Sequence, residues 1–432
     1  MMSRLRAGLL LLTIAAMPIH AQTMRERVIG LFKFGSGCDD PVCLSVGSAH
    51  KEHYNPAAQA GQANLIDFMS DAIAGSASNI PISAASSGAV FATSSSGLFV
   101  RTQTSAGPVF AERAQTIGKR RVLFGANFSS YSFQSLRGVP LNGLEFNFTH
   151  QLVGPLPLGQ NADYENDIIA VRTDVAVNLA AATAFATYGV ARNIDVSVAV
   201  PFVHTSIDGN SVATIMPFTN PTPHYFGTAS NPSLTATAGT QGSASGIGDV
   251  ALRLKVMLPD QGRVSLAILG DARLATGNVD NFLGSGKTSF RGQAIASGRY
   301  GNFSPHLNVG YWLRSSATES DAFLATGGFD QLLGGRVTFA ADIISQWQVG
   351  ASKLVQPDPV VLLTPIGATF VSDRTIYPSN IPVQRDNQVL GTMGFKFSTA
   401  SGMTVVTNAI VPMLRGGLQP NIALTLGLEY TF

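Results

Sequence analysis

Along residues 249–258, Val250, Leu252, Leu254 and Val256 alternate with positions that include Asp249, Arg253 and Lys255. Successive side chains of an extended strand point to opposite faces, so this period of two predicts a strand with one apolar and one charged face. Pro259, Asp260, Gln261 and Gly262 supply a turn. The alternation then resumes with Val264, Leu266, Ile268, Ala272 and Leu274 against Ser265, Asp271 and Arg273. The last residues repeat it, with Ile422, Leu424, Leu426, Leu428, Tyr430 and Phe432 against Thr425, Gly427, Glu429 and Thr431. A soluble sandwich turns the apolar face of such strands inward, whereas a barrel in a membrane turns it outward.

Thirteen such segments follow one another, at 120–134, 143–153, 168–190, 194–206, 247–258, 263–275, 288–300, 303–315, 322–333, 336–350, 387–398, 403–414 and 420–432. Short turns fall on alternate connections, and the long connections 208–245 and 352–386 fall on the other side, as in barrels with short periplasmic turns and long external loops. Thirteen strands would start the barrel outside the cell, so an upward strand must precede Arg120, and 89–104 is the candidate. The expected fold is all-β, a transmembrane antiparallel barrel of about 14 strands, or 12 if two marginal segments are loop.

Composition decides between the two environments. Only 12% of the 432 residues are charged while 45% are hydrophobic; a soluble domain carries about 25% charge. Residues 1–21 read as a secretory signal peptide, with Arg4 and Arg6 ahead of the uncharged run 7–17 and Ala21 before the cut. Removing it takes two of the 28 basic residues and none of the 26 acidic ones. The mature chain is then neutral and has no basic excess to attract nucleic acid. No uncharged apolar run of about 18 residues follows, so the route into a membrane is a closed barrel in the outer membrane.

Residues 22–88 read as a different unit from the barrel, 89–432. Leu65, Ile66, Phe68, Met69, Ala72 and Ile73 recur at helical spacing, which predicts a short helix ending at Gly75. A barrel of this size encloses a lumen that this segment could plug. Cys38 and Cys43 are the only cysteines, and an oxidising periplasm favours a disulfide between them. With His50 and His53 they form the alternative, a zinc site, although the spacing matches no standard finger.

The closing Leu-Glu-Tyr-Thr-Phe resembles the assembly signal of bacterial outer-membrane barrels, which makes Tyr430 and Phe432 candidate contacts for the barrel-assembly machinery. Asn55, Pro56 and Ala57 resemble the plug motif of the FadL-type long-chain fatty acid transporters. The segments 188–202, 246–250 and 272–277 are similar to outer-membrane proteins of phenol and aromatic degradation pathways. The resemblance implies a plugged barrel for passive uptake of small hydrophobic molecules, fatty acids or aromatic hydrocarbons. The longer amino-terminal region and its cysteine pair depart from the transporters, so the ligand does not carry over.

Other motifs fail on context. Gly284-Ser285-Gly286-Lys287-Thr288 lacks the first glycine of a phosphate loop, since Asn281 stands there, and a strand follows it. The remaining histidines are scattered and no catalytic spacing stands out, so neither enzyme activity nor a cofactor is expected. Candidate lumen charges are Arg172, Asp174, Asp249, Arg253, Lys255, Asp271, Arg273, Arg291, Arg299 and Asp342. Paired across strands they neutralise one another, and avoiding like charges places Asp249 opposite Arg273. Pro201 lacks a ladder donor and is a candidate kink for a lateral opening. Val360, Leu362, Leu363 and Ile366, with Met216, Phe218 and Phe226, are candidates for an external capture surface. The expected partners are a hydrophobic ligand and outer-membrane lipid around a monomer. A general diffusion porin and a structural or adhesive barrel are the alternatives.

Overall fold

A computed structural model of the chain describes residues 22–34, 43–44, 56–78, 91–93, 99–101, 105–149, 168–216, 225–228, 230–259, 262–314, 319–366, 369–399 and 401–432. Twelve strands close into an antiparallel barrel in which each pairs with its neighbours in sequence. They are β1 (Val122–Leu136), β2 (Ile168–Ala191), β3 (Ile194–Met216), β4 (Ala251–Met257), β5 (Val264–Arg273) and β6 (Ser289–Gly298). The remaining six are β7 (Phe303–Arg314), β8 (Ala322–Gly334), β9 (Val337–Gln348), β10 (Gln388–Ser398), β11 (Met403–Arg415) and β12 (Leu418–Thr431). The seam closes between β12 and β1.

The count is the smaller of the two that the sequence allows. Leu144–Thr149, read above as a separate strand, pairs with the outer half of β2 and runs on in the direction of β1 after a turn at Arg137 and Gly138. The two sequence segments are one strand interrupted by a bend. The chain therefore enters β1 from the periplasmic end without a fourteenth strand. Within 89–104, Phe91–Thr93 and Phe99–Arg101 pair only with each other. The long connection 208–245 is mostly strand as well, because β3 continues to Met216 and the chain returns along it as Thr235–Ile247.

The outer face carries the apolar residues. Ile422, Leu424, Leu426, Leu428, Tyr430 and Phe432 are each 44–60% exposed. Near the short turns, Phe303, Phe329, Phe339, Phe395 and Phe397 form a ladder of rings with successive centroids 5.3–6.3 Å apart. Toward the long loops, Tyr311 faces Phe323 across the ladder and Phe323 faces Trp347. On β9 the two belts lie eight residues apart, at Phe339 and Trp347. At about 3.3 Å per residue and a tilt of about 40° this is roughly 20 Å of height, close to the apolar band of such barrels.

The observed register between β4 and β5 places Arg253 opposite Asp271 and Ala251 opposite Arg273. It corrects the expected Asp249–Arg273 pairing by two residues. Opposite charges still face each other, but through Arg253. Asp249 leaves the ladder and accepts from Gly277 N (3.0 Å), Ser285 N (2.8 Å) and Ser285 Oγ (2.8 Å), which holds the 274–288 loop in place.

The amino-terminal chain fills the lumen at both ends. At the loop end lie α1 (Met24–Gly30) and α2 (Pro56–Ser78). Thr23 and Glu26 form a reciprocal cap on α1, which satisfies two otherwise orphaned amides. Met24, Val28, Leu31 and Phe32 with Ile66, Phe68, Met69 and Ile73 share one buried cluster with Val171, Ile207 and Phe146 on the barrel's inner face. Phe32 meets Phe146 edge-on at 4.9 Å. Arg25 joins the helices by bonding Asp67 at 3.2 Å and also Asp71, and reaches Asp280 of the 274–288 loop at 3.3 Å. The lumen-filling part extends past residue 88, because residues 105–117 cross the barrel near the short turns before β1 begins.

Candidate functional site

The 105–117 strap has no regular structure, so its backbone groups need partners from elsewhere. The inner faces of the strands supply them. Ala106 N donates to Thr338 Oγ1 (2.9 Å), Ala114 N to Ser297 Oγ (2.9 Å) and Ile117 N to Asp195 Oδ2 (3.0 Å). Asn308 Nδ2 donates to Glu112 O (3.1 Å) and Lys255 Nζ to Arg113 O (3.2 Å). The central anchor is Arg113, whose Nη2 meets Asp330 Oδ2 at 2.5 Å with both side chains buried. Ser105 Oγ donates to the same oxygen. His306 Nε2 meets Asp342 Oδ1 at 2.5 Å and its Nδ1 lies 3.7 Å from Asp330. The strap passes into β1 through Gly118 (φ +99°) and Arg120 (φ +62°). A side chain at Gly189 would put its Cβ 1.8 Å from Gly118 O, so that crossing requires glycine.

Between strap and helices a cavity of about 150 Å³ remains at mid-height. One wall carries Arg253, Arg273 and Arg291, and the opposite wall carries Leu324, Ile344 and Leu390. Glu112 of the strap forms its floor and accepts from Arg253 Nη1 at 3.2 Å, while Asp271 accepts from Arg253 Nε at 2.9 Å. Lys255 lies 3.6 Å from Glu112 and 3.9 Å from Asp195. Arg291 faces Trp312 across the β6–β7 ladder, and its guanidinium stacks 3.6 Å from the indole centroid. A smaller cavity of about 50 Å³ lies under Phe68, Ala72 and Ser76 of α2 and shares Gln346 and Gln388 with the first. The two form a stepped route inward from the loop end.

The candidates from the sequence divide. Arg253, Lys255, Asp271, Arg273, Arg291 and Asp342 all face the lumen. Arg172 and Asp174 do not. They stand on the outward face of β2, exposed, and Arg172 pairs with Glu145. In this outer part of β2 the inward face is apolar, Val171, Val175 and Val177, because it packs on the helices. Water lies outside it, so polarity marks the opposite face from the one it marks in the membrane. Arg299 sits at the periplasmic rim and donates to Gly262 O at 2.6 Å. Lys396 with Glu429, Arg314, His306 and Asp330 also face inward and were missed, although the period of two through β7, β8 and β10 could have flagged them.

Pro201 lies on the inner face of β3 where its partner breaks, between Ile247 and Ala251. There Gly248 N donates to Pro201 O at 2.8 Å. Val250 N turns away to Thr276 Oγ1 at 2.9 Å. Buried Phe282 and Leu283 cover the break from within, and Thr205 Oγ1 donates to Phe282 O at 3.0 Å.

Of the proposed capture surface, Val361 is exposed and Val360 and Met216 are half-buried. Phe226 is not available for capture, since it is 4% exposed and packs 6.3 Å from Phe34. Leu362, Leu363 and Ile366 lie in a strand, Val360–Ile366, whose side chains are described only at its first two positions, and Phe218 lies outside the described residues. Asn55, Cys38, His50 and His53 also lie outside them. Pro56 and Ala57 open α2, and Cys43 pairs through its backbone with Lys33. Phe432 stacks on Phe124 at 5.9 Å and lies 5.7 Å from Tyr430 on the outer face.

A closed antiparallel barrel with an aromatic-edged apolar belt and a lumen filled by its own amino-terminal chain is an outer-membrane barrel protein. Residues 158–352 match the family described as "Putative MetA-pathway of phenol degradation". The match spans the barrel segments that carry the sequence resemblance. No curated protein matches the chain. Among solved structures it is similar to an outer membrane channel from Pseudomonas putida F1, at 11% identity over 74% of this chain and 98% of that one, with a TM-score of 0.42. It is also similar to a FadL homologue from Pseudomonas aeruginosa (10% identity, 72% and 89% of the chains, TM-score 0.30). A third is the CymD monoaromatic hydrocarbon channel (9% identity, 73% and 88%, TM-score 0.34).

Proposed function

We propose that this protein is a passive outer-membrane uptake channel for small hydrophobic molecules, with the amino-terminal chain as its plug. The observation that carries the reading is the amphipathic cavity at mid-barrel above the 105–117 strap, which a smaller cavity under α2 continues toward the loop end. A water-filled pore offers an apolar solute no favourable path, whereas a closed lumen with one apolar wall does. The family description, which names phenol degradation, points the same way. The break opposite Pro201 supports a side exit into the bilayer, because the regular register is interrupted there between Ile247 and Ala251, a single bond from Gly248 N to Pro201 O spans the gap among the described residues, and Phe282 and Leu283 stand behind it.

The test is single-channel conductance of the refolded protein in a planar bilayer, compared with a chain lacking residues 22–117, which removes the helices and the strap together. Near-zero conductance in the intact chain that rises on deletion is the expected result. Steady large conductance in the intact chain would make a general diffusion porin the better reading.

A further inference from the structure

We propose that the mid-barrel cavity selects a monocyclic aromatic acid, with its carboxylate held by Arg291 and Arg273 and its ring against Leu324, Ile344 and Leu390. This inference rests on the uptake reading and narrows its cargo to anions with a single ring. Five charged residues line the cavity, three guanidiniums (Arg253, Arg273, Arg291) against two carboxylates (Glu112, Asp271). The carboxylates are already engaged. Both bind Arg253, Glu112 also neighbours Lys255, and Asp271 reaches Arg273 only at 3.9 Å. Asp249, the next carboxylate, is turned to the amides of Gly277 and Ser285.

Three donors that line this space are buried and have no acceptor among the described residues: Arg273 Nε, Arg291 Nε and Trp312 Nε1. Buried polar groups in folded proteins are nearly always paired. Two carboxylate oxygens of the lining, Glu112 Oε2 and Asp271 Oδ1, also lack a hydrogen bond, but each already faces a cation, Lys255 at 3.6 Å and Arg273 at 3.9 Å, so three guanidiniums still stand against two carboxylates and a further anion would complete the set. Guanidinium groups suit a carboxylate because its two oxygens match their fork of N–H groups. Trp312, flattened beneath Arg291 at 3.6 Å and within 4.5 Å of Arg314, fixes the direction in which Arg291 presents its edge. The opposite wall is aliphatic and suits a ring. The volume, about 150 Å³, is comparable with the roughly 150 Å³ apolar cavity that accepts benzene. It is too small to enclose a long acyl chain.

The chain contains two tryptophans. Trp347 is exposed on the lipid face, so in the Trp347→Phe protein the fluorescence reports Trp312 alone. Titrating that full-length protein in detergent with benzoate, benzamide, toluene and octanoate separates charge from shape. The expected result is a Trp312 response to benzoate that weakens about tenfold or more in Arg291→Gln. Arg291→Lys should recover part of it, and benzamide binding should be weak and unchanged by either substitution. Retention of heat-modifiable migration shows that each variant is a folded barrel.

Equal binding of benzoate, benzamide and toluene, unaffected by Arg291→Gln, would overturn the anion selectivity while leaving hydrophobic uptake intact. Octanoate binding tighter than benzoate would overturn the aromatic class. Silence with all four probes overturns the proposal alone if the plug test above succeeds, and together with that reading if it fails.

Discussion

Replacing Asp330 by Ala should unseat the strap while leaving the barrel standing. Asp330 is the carboxylate that Arg113 contacts through Nε (3.4 Å) and Nη2 (2.5 Å), and it also accepts from Ser105. Both members of the ion pair are almost wholly buried, at 2% and 0% side-chain exposure. Removing one partner of a buried pair typically costs about 3–5 kcal/mol, because the remaining charge loses its compensation. At about 1.4 kcal/mol per tenfold, the displaced-to-seated ratio of the strap rises by two to nearly four powers of ten. The strands do not share this loss, since their hydrogen bonds run around a closed ladder. Single-channel recording should therefore show open events in Asp330→Ala that the parent lacks, and protease should cut within 105–117 of the folded variant. Arg113→Met with Asp330→Leu removes both charges and should return most of the closure. A silent, protease-resistant Asp330→Ala protein would refute the assignment of this pair as the anchor.

Gly189→Ala should lower the yield of heat-modifiable barrel or free the strap, because its Cβ would fall 1.8 Å from Gly118 O; refolding yield by gel shift measures this. Glu319, in the external 315–321 loop, has its carboxyl pushed up by burial, and Arg314 at 3.5 Å offsets this only in part. A raised acid stabilises the folded state below its ordinary value and loses that contribution as pH rises through the raised one. Residues 66–77 of α2, which pack beside it at Gly75, should then exchange amide hydrogens faster at about pH 8 than at about pH 4, after correction for intrinsic rates. Glu319→Gln should flatten that difference, and an unchanged profile would count against the coupling. Phe432→Ala removes a ring stacked on Phe124 across the barrel seam and should cost about 0.5–1.5 kcal/mol beyond the lost area, read as a lower urea midpoint for unfolding in lipid.

What the sequence made legible follows from what a period of two encodes. It separates two faces, and the structure turns the face bearing Arg253, Asp271, Arg273 and Arg291 to the lumen. It does not say which medium lies on which side. In the outer part of β2 the helices are inside and water is outside, and the same polarity rule sent Arg172 and Asp174 to the wrong face. Nor does it fix register. The β4–β5 pairing differs from the expected one by two residues, a shift that preserves every face assignment and moves every cross-strand partner. The site depends on such partners. Arg291 and Trp312 form a recognition element only because β6 and β7 bring them directly opposite.

The strap was invisible for a third reason. Residues 105–117 have no periodicity of their own, and three of their amides, those of Ala106, Ala114 and Ile117, are satisfied by side chains at least 78 residues away in sequence. Those side chains, Thr338, Ser297 and Asp195, in turn look like ordinary polar positions on a lumen face. Only the closed barrel turns the two sets into one structure, which is why the floor of the cavity, with Glu112 engaging Arg253, arises from the fold rather than from any local motif. The consequence for selectivity is direct: because Glu112 of the strap and Asp271 both bind Arg253, Arg291, which rests on Trp312, keeps an Nε without a hydrogen-bond acceptor among the described residues.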